Sequence, residues 1–409
     1  MTDTVTIDHL AHRGDGVASM NSKPVFIPFT LPGEQVEIER NGERARLVSI
    51  VTPSPSRIEP MCRHFGTCGG CALQHLEGGA YRAWKEEQVA AALASRGLEA
   101  EISPIVPASP GTRRRAVLTA VRAGGRVLVG YHERMANRLV AITECAVATP
   151  RIVSALPDLT RLADRLAPRK GELRLTVLDT TSGLDVAAEG ANGKAARDFP
   201  GLGRLAAEAD FARLSVDGEV VIEIRPPALN FGGAAMVPPP GGFVQASAEA
   251  EAAMADAVLK AITGTKRVAD LFAGSGTFAL RIARDALVHA VEGDKAAIGA
   301  LDRAWRQAPG LKTITQEVRD LFRSPLRPGE LESFDAVVFD PPRAGAKEQV
   351  AQLAASAVAH IVAVSCNPAT LARDLRILID GGYRLCSVQP VDQFLFSPHI
   401  EVVAHLKRG

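Results

Sequence analysis

The sequence predicts an α/β chain in three parts. These are a small N-terminal β-barrel (residues 1–53), a central α+β unit (54–244) and a mostly parallel α/β sheet (245–409). Three observations predict this. Short strand-like runs fill the first block, hairpin signals punctuate the second, and strand and helix patterns alternate through the third. The 409 residues suit two to four domains, and 46% hydrophobic with 23% charged residues is ordinary for a globular chain. Forty-seven Lys and Arg against 46 Asp and Glu leave a net charge of +1, which excludes a polycation and leaves room for a local basic patch.

In the first block, Val25-Phe26-Ile27-Pro28 is a strand fragment and Leu31-Pro32-Gly33-Glu34 a turn. Gln35–Glu39 alternates polar with apolar, and Asn41-Gly42 signals a hairpin into Ala45–Val51. Thr52-Pro53-Ser54-Pro55-Ser56 reads as a linker. In the second block, Leu173–Asp179 and Leu184–Ala188 flank a Thr-Ser-Gly turn, and Phe211–Val216 and Glu219–Arg225 flank Asp217-Gly218. In the third, Ser247 is an N-cap for a helix that Gly264 stops. Strands follow at Arg267–Phe272, Val288–Glu292, Phe334–Asp340, His360–Ser365, Arg384–Gln389 and Ile400–Leu406, with a helix from the glycine loop to about Arg284.

Three cysteines crowd Cys62-x5-Cys68-Gly69-Gly70-Cys71, and Cys145 is the only other cysteine of the central block. The short C-x2-C step lets two thiolates reach one metal site, and the glycines permit the tight backbone this requires. Four such sulfurs suit zinc or a 4Fe-4S cluster, and spacing does not choose between them. The bland alternative is a set of unconnected buried thiols, and His64 is a weak substitute ligand.

The third block carries four further motifs. Asp270-Leu271-Phe272-Ala273-Gly274-Ser275-Gly276 is a glycine turn after a strand, and Glu292 ends the next strand, where a carboxylate can accept both ribose hydroxyls. Nicotinamide dinucleotide and S-adenosylmethionine both remain open on this motif. Asp340-Pro341-Pro342-Arg343 stiffens a loop over the same sheet edge, and Arg343 stands where exocyclic-amine methyltransferases place an aromatic residue. Ser365-Cys366-Asn367-Pro368 delivers a thiol to the carboxyl edge, where local donors or positive charge can activate it as a nucleophile. Cys386, inside a strand, reads as an ordinary core thiol. Pro398-His399-Ile400-Glu401 places a carboxylate at the start of the last strand, available as a base.

Taken in order with Phe243-Val244-Gln245, these motifs resemble the bacterial RNA 5-methyluridine methyltransferases, the iron–sulfur cluster-containing, S-adenosylmethionine-dependent uracil-5 enzymes. The resemblance spans essentially the whole chain. It implies a Rossmann-like class I methyltransferase domain, a central iron–sulfur domain and a TRAM-type oligonucleotide-binding barrel. It implies that Cys62, Cys68, Cys71 and Cys145 hold a 4Fe-4S cluster. Gln245, Phe272, Glu292 and Asp340 match the positions that meet the methyl donor, and Asp320 the adenine edge. Cys366 matches the nucleophile that adds to carbon 6 of uracil, and Glu401 the base. Ala273 stands where many members carry Cys, and Ser247 where many carry Asn.

The implied partner is ribosomal or transfer RNA presenting a flipped uridine in a loop. Residues 111–140 hold seven arginines (113, 114, 115, 122, 126, 134 and 138) against Glu133 alone, a candidate phosphate track or an ordinary solvated face. Rival readings are a nicotinamide-dependent oxidoreductase, a non-catalytic RNA-binding iron–sulfur protein and a cytosine-5 enzyme. No apolar run is long enough for a membrane span and no secretory signal is evident, so a cytoplasmic protein is expected, with a monomer favoured.

Overall fold

The computed structural model describes residues 2–409. The N-terminal unit is a six-stranded sheet built from Asp3–Thr6, His9–Leu10, Gly16–Met20, Lys23–Ile27, Gln35–Asn41 and Arg44–Thr52. Its core is Ile7, Val25, Ile27, Val36 and Ile38. The expected linker is not free. Ser54 is buried and its N–H donates to Glu34, whose carboxylate also takes the Leu31 N–H and the Arg57 guanidinium. These donors hold the Glu34 carboxyl below its usual range against the opposing effect of burial.

The central sheet has seven strands, and both expected hairpins form: Leu173–Thr180 pairs with Gly183–Glu189, and Phe211–Val216 with Glu219–Glu223. Asp217 and Gly218 both take positive φ, as a tight two-residue turn demands. Helix Leu156–Leu166 covers one face of the sheet with Leu159, Leu162, Ala163 and Leu166 at helical spacing.

A long helix, α1 (Gly78–Ala94), is capped by Glu77, which accepts from the Gly79 and Ala80 N–H groups. It departs from a simple three-block division. Its Val89 and Leu93 pack into the core of the C-terminal sheet, and the extended residues Ile102 and Val106 bridge to Val388 and Val391. Leu229, Phe231 and Met236 of a small hairpin join the other face of that sheet.

The C-terminal sheet comprises β1 (Arg267–Leu271), β2 (Leu287–Glu292), β3 (Ile314–Val318), β4 (Ala336–Phe339), β5 (His360–Ser365), β6 (Tyr383–Val391) and β7 (Glu401–Arg408). Their order is β3-β2-β1-β4-β5-β7-β6, parallel except for β7, which runs antiparallel to both β5 and β6. Helices α2 (Ala248–Ala261), α3 (Lys295–Gln307), α4 (Lys347–Ala354) and α5 (Pro368–Asp380) belong to this unit, and Ser247 caps α2 as expected. The helix expected to run to Arg284 is a single turn, Ala279–Ile282.

One buried ion cluster fastens the central unit to α2. The wholly buried Glu251 accepts from Arg114 at 2.5 Å and from Arg281 at 2.7 Å. Arg114 therefore does not belong to a phosphate track. Glu251→Ala strands two buried guanidinium groups and should destabilise the chain by about 3–5 kcal/mol. A lowered urea midpoint measures this, and an unchanged midpoint contradicts it.

Candidate active site

The carboxyl edge of the C-terminal sheet gathers the donor-side residues. Ala273 N–H donates to the Val291 carbonyl, and Gly274 N–H donates to the Glu292 carboxylate at 3.0 Å. Glu292 also accepts from the Asp294 N–H at 2.8 Å, which fixes its direction. Gly274 has φ +53° with open space where a side chain would stand, so a ligand can approach its backbone closely. The ring of Phe272 lies 5.4 Å from that of Phe322, over the loop that carries Asp320. Asp320 is exposed and accepts from the Phe322 N–H of its own turn at 3.0 Å. Asp270 faces no solvent, and burial drives its carboxyl well up from the ordinary carboxylate range.

A second group surrounds Cys366. Its neighbour Ser365 is the last residue of β5 and pairs with Val402 of β7. The ladder ends there, with Cys366 one residue beyond Ser365 and Glu401 one residue before Val402, close enough for the carboxylate to act on the thiol electrostatically. Glu401 is 4% exposed. One of its oxygens accepts from Gln393 at 3.1 Å and the other has no partner. Gln393 also donates to the Gln245 side-chain amide oxygen at 2.8 Å, and the Gln245 amide nitrogen donates to Asp340 at 3.0 Å. A chain of amides thus joins the candidate base to the donor side. Gln393 was not singled out by sequence, because an amide two residues into an irregular loop carries no spacing signal.

Burial pushes the Glu401 and Asp340 carboxyls up, and Asp340 raises Glu401 further. The Cys366 thiol is pushed up to about 11, first by burial and then by Glu401 and Asp340, with Arg343 opposing. The expectation that local charge activates this thiol is therefore reversed for the donor-free protein. Cys386 is exposed, at a strand irregularity, and not a core thiol.

Cys366 opens onto a cleft of about 990 Å³ between all three units, where Arg13, Arg113, Arg134 and Arg343 converge with His399. Only Arg113 and Arg134 of the seven expected arginines line it. Arg122 is bonded to Asp164, and Arg138 is paired with Glu133. Cys62, Cys68, Cys71 and Cys145 line a separate cavity of about 160 Å³, with His64 on its wall donating or accepting at Thr143. Among the described residues, no three His, Cys, Asp or Glu side chains stand close enough to share a single ion.

The sheet order, the glycine turn and the acid ending β2 define an S-adenosylmethionine-dependent methyltransferase. Residues 236–409 match the family model described as tRNA (uracil-5-)-methyltransferase, and residues 2–39 match the TRAM domain. The chain is 50% identical over 413 residues to an RNA methyltransferase of Rhizobium meliloti, covering all of both chains. It is 34% identical to the 23S rRNA (uracil(1939)-C(5))-methyltransferase RlmD of Alkalilimnicola ehrlichii, covering 99% of this chain and 96% of that one. In fold it resembles the Pyrococcus abyssi tRNA (uracil-54, C5)-methyltransferase solved with S-adenosyl-L-homocysteine, at a TM-score of 0.79 and 24% identity over 98% of this chain and 99% of that one. The chain belongs to the RNA (uracil-5-)-methyltransferase family. No helix among the described residues is long and apolar enough to cross a membrane.

The raised carboxyls give a pH signature. A buried acid whose folded pKa lies above its unfolded value binds more protons when folded, so stability falls as pH rises above the ordinary carboxylate range. Glu401→Gln should flatten this decline in the donor-free protein. Melting temperatures measured across pH test it, and a parallel decline in the variant contradicts it.

Proposed function

We propose that this enzyme methylates carbon 5 of a specific uridine in structured ribosomal or transfer RNA, through a covalent adduct on Cys366. The observation that carries the proposal is the end of the β5–β7 ladder, where Cys366 follows Ser365 and the buried Glu401, with one free oxygen, precedes Val402. Carbon 5 of uracil is too weak a nucleophile to attack a sulfonium methyl unaided. The Cys366 thiolate adds to carbon 6, and the electron pair moves through carbon 5 to oxygen 4 as an enolate. Carbon 5 then takes the methyl group of S-adenosylmethionine, leaving neutral S-adenosylhomocysteine. Glu401 removes the carbon 5 proton, the double bond re-forms and the thiolate leaves. Gln245, Phe272, Glu292, Asp320 and Asp340 are the proposed donor contacts.

The target base must leave its stack to reach a thiol recessed in the cleft. Arg113 and Arg343 are proposed to receive the flanking phosphates, with the TRAM barrel extending the track through Arg13, while Arg134 is held by Asp15. A cytosine-5 reaction would use the same thiolate chemistry, and a non-catalytic RNA-binding protein would need neither the thiol nor the free carboxylate oxygen.

Cys62, Cys68, Cys71 and Cys145 are proposed to hold a 4Fe-4S cluster. The support is that all four thiols line one cavity, as ligands of a single shared group must. Bound there, a cluster supplies a rigid cross-link between the 62–71 loop and Cys145.

Cys366→Ala should abolish methylation while S-adenosylhomocysteine binding persists, and Glu401→Gln should accumulate a denaturation-resistant protein–RNA adduct. Normal turnover by the first variant, or 5-methylcytidine as the product, sinks the proposal. Anaerobically purified protein should be brown, and Cys145→Ser should lose iron and the visible absorbance together. A colourless parent protein binding zinc overturns the cluster assignment.

A further inference from the structure

Residues 392–400, between β6 and β7, carry Gln393 into the catalytic network and lead directly into Glu401, yet have no regular structure of their own. Their support comes from α1. Lys85 is fully buried, and its ammonium donates to the Asp392 carboxylate at 2.6 Å, to the His399 carbonyl at 2.8 Å and to the Phe394 carbonyl at 3.3 Å. One cation therefore ties down both ends of the loop. The other Asp392 oxygen accepts from Tyr81 at 2.9 Å, and the same Tyr81 oxygen accepts from the Phe396 N–H at 2.9 Å. Phe396 has φ +61°, a conformation a bulky residue keeps only when its surroundings fix it. Its carbonyl accepts from Ala72 and Leu73, immediately after Cys71.

A buried ammonium is costly, and an apolar residue of similar volume would hold the helix in place at least as well. What an apolar residue cannot do is bind two loop carbonyls and a carboxylate from one point. We infer that Lys85 is a positioning residue for methyl transfer, its ammonium holding residues 392–399 so that Gln393 and Glu401 face Cys366. The inference rests on the roles proposed above for Cys366 and Glu401. Lys85 is buried and does not line the cleft around Cys366; it acts through the loop.

Lys85→Met alone strands the Asp392 carboxylate, so the informative variant is Lys85→Met with Asp392→Asn, which removes both charges and leaves Tyr81 a partner. Parent, double variant and Glu401→Gln are compared on transcribed ribosomal and transfer RNA. Adduct formation and adduct release are followed separately on denaturing gels, alongside melting temperature and S-adenosylhomocysteine affinity. The double variant should keep a parental melting temperature and donor affinity, form adduct within a few-fold of the parent rate, and release it about a hundredfold more slowly. Parental release from a folded double variant, while Glu401→Gln traps adduct, overturns the inference alone. Failure of Glu401→Gln to slow release overturns the reading of Glu401 itself. If the double variant does not fold, Asp392→Asn, which takes the carboxylate from Lys85 and leaves Tyr81 an acceptor, should slow release severalfold. Unchanged release in that variant overturns the inference equally.

Discussion

An antiparallel ladder leaves no freedom once a single pair is fixed. Here the last pair is Ser365 with Val402, and the thiol of Cys366 follows the one as the carboxylate of Glu401 precedes the other. The two candidate reacting side chains are thus spaced by backbone hydrogen bonds of a central sheet, between β5 and β7, not by the packing of two loops. The reversal of β7 is what brings its first residue to the carboxyl edge, where all the parallel strands end. Were β7 parallel to β5, Glu401 would lie at the opposite end of the sheet.

Electrostatics around that rung are set by what surrounds it. Burial raises the proton affinity of Asp340, Glu401 and Cys366; Asp340 raises Glu401 further, and both carboxylates raise Cys366, with Arg343 the opposing cation at the thiol. The amides of Gln393 and Gln245 each donate one hydrogen bond to these carboxylates without adding charge. Elsewhere the nearly balanced charge is sorted by burial. Acids such as Glu251 and Asp185 are spent on buried arginines, and the cleft keeps a surplus of guanidinium groups.

Most of the fold was legible because its signals are local. The Asp217-Gly218 turn, the Ser247 cap and the β-branched runs of β4 and β5 are set by neighbouring residues. The exceptions are failures of locality. Gly16–Met20 pairs as a strand despite small residues with weak strand preference, because its neighbours supply the ladder. The run after Gly276 reads as a longer helix than one turn, and tertiary packing stops it. In the site, the motif residues Gln245, Phe272, Glu292 and Asp340 do come together, as do the four cysteines. The arginine track dissolved because sequence density says nothing of side-chain direction: Arg114 points inward to Glu251, and Arg122 bends onto Asp164. Gln393 and Lys85 were illegible because their partners are distant in sequence.

Lys85 and Asp392 are separated by 307 residues. At translation rates of about 5–20 residues per second, the cation leaves the ribosome roughly 15–60 s before its carboxylate is made. During that interval Lys85 has no carboxylate, and Ile102 and Val106 lack the β6 residues they bridge to. The N-terminal barrel and the central sheet can close from their own residues. The catalytic edge cannot, because Gln393 and Glu401 are among the last residues made.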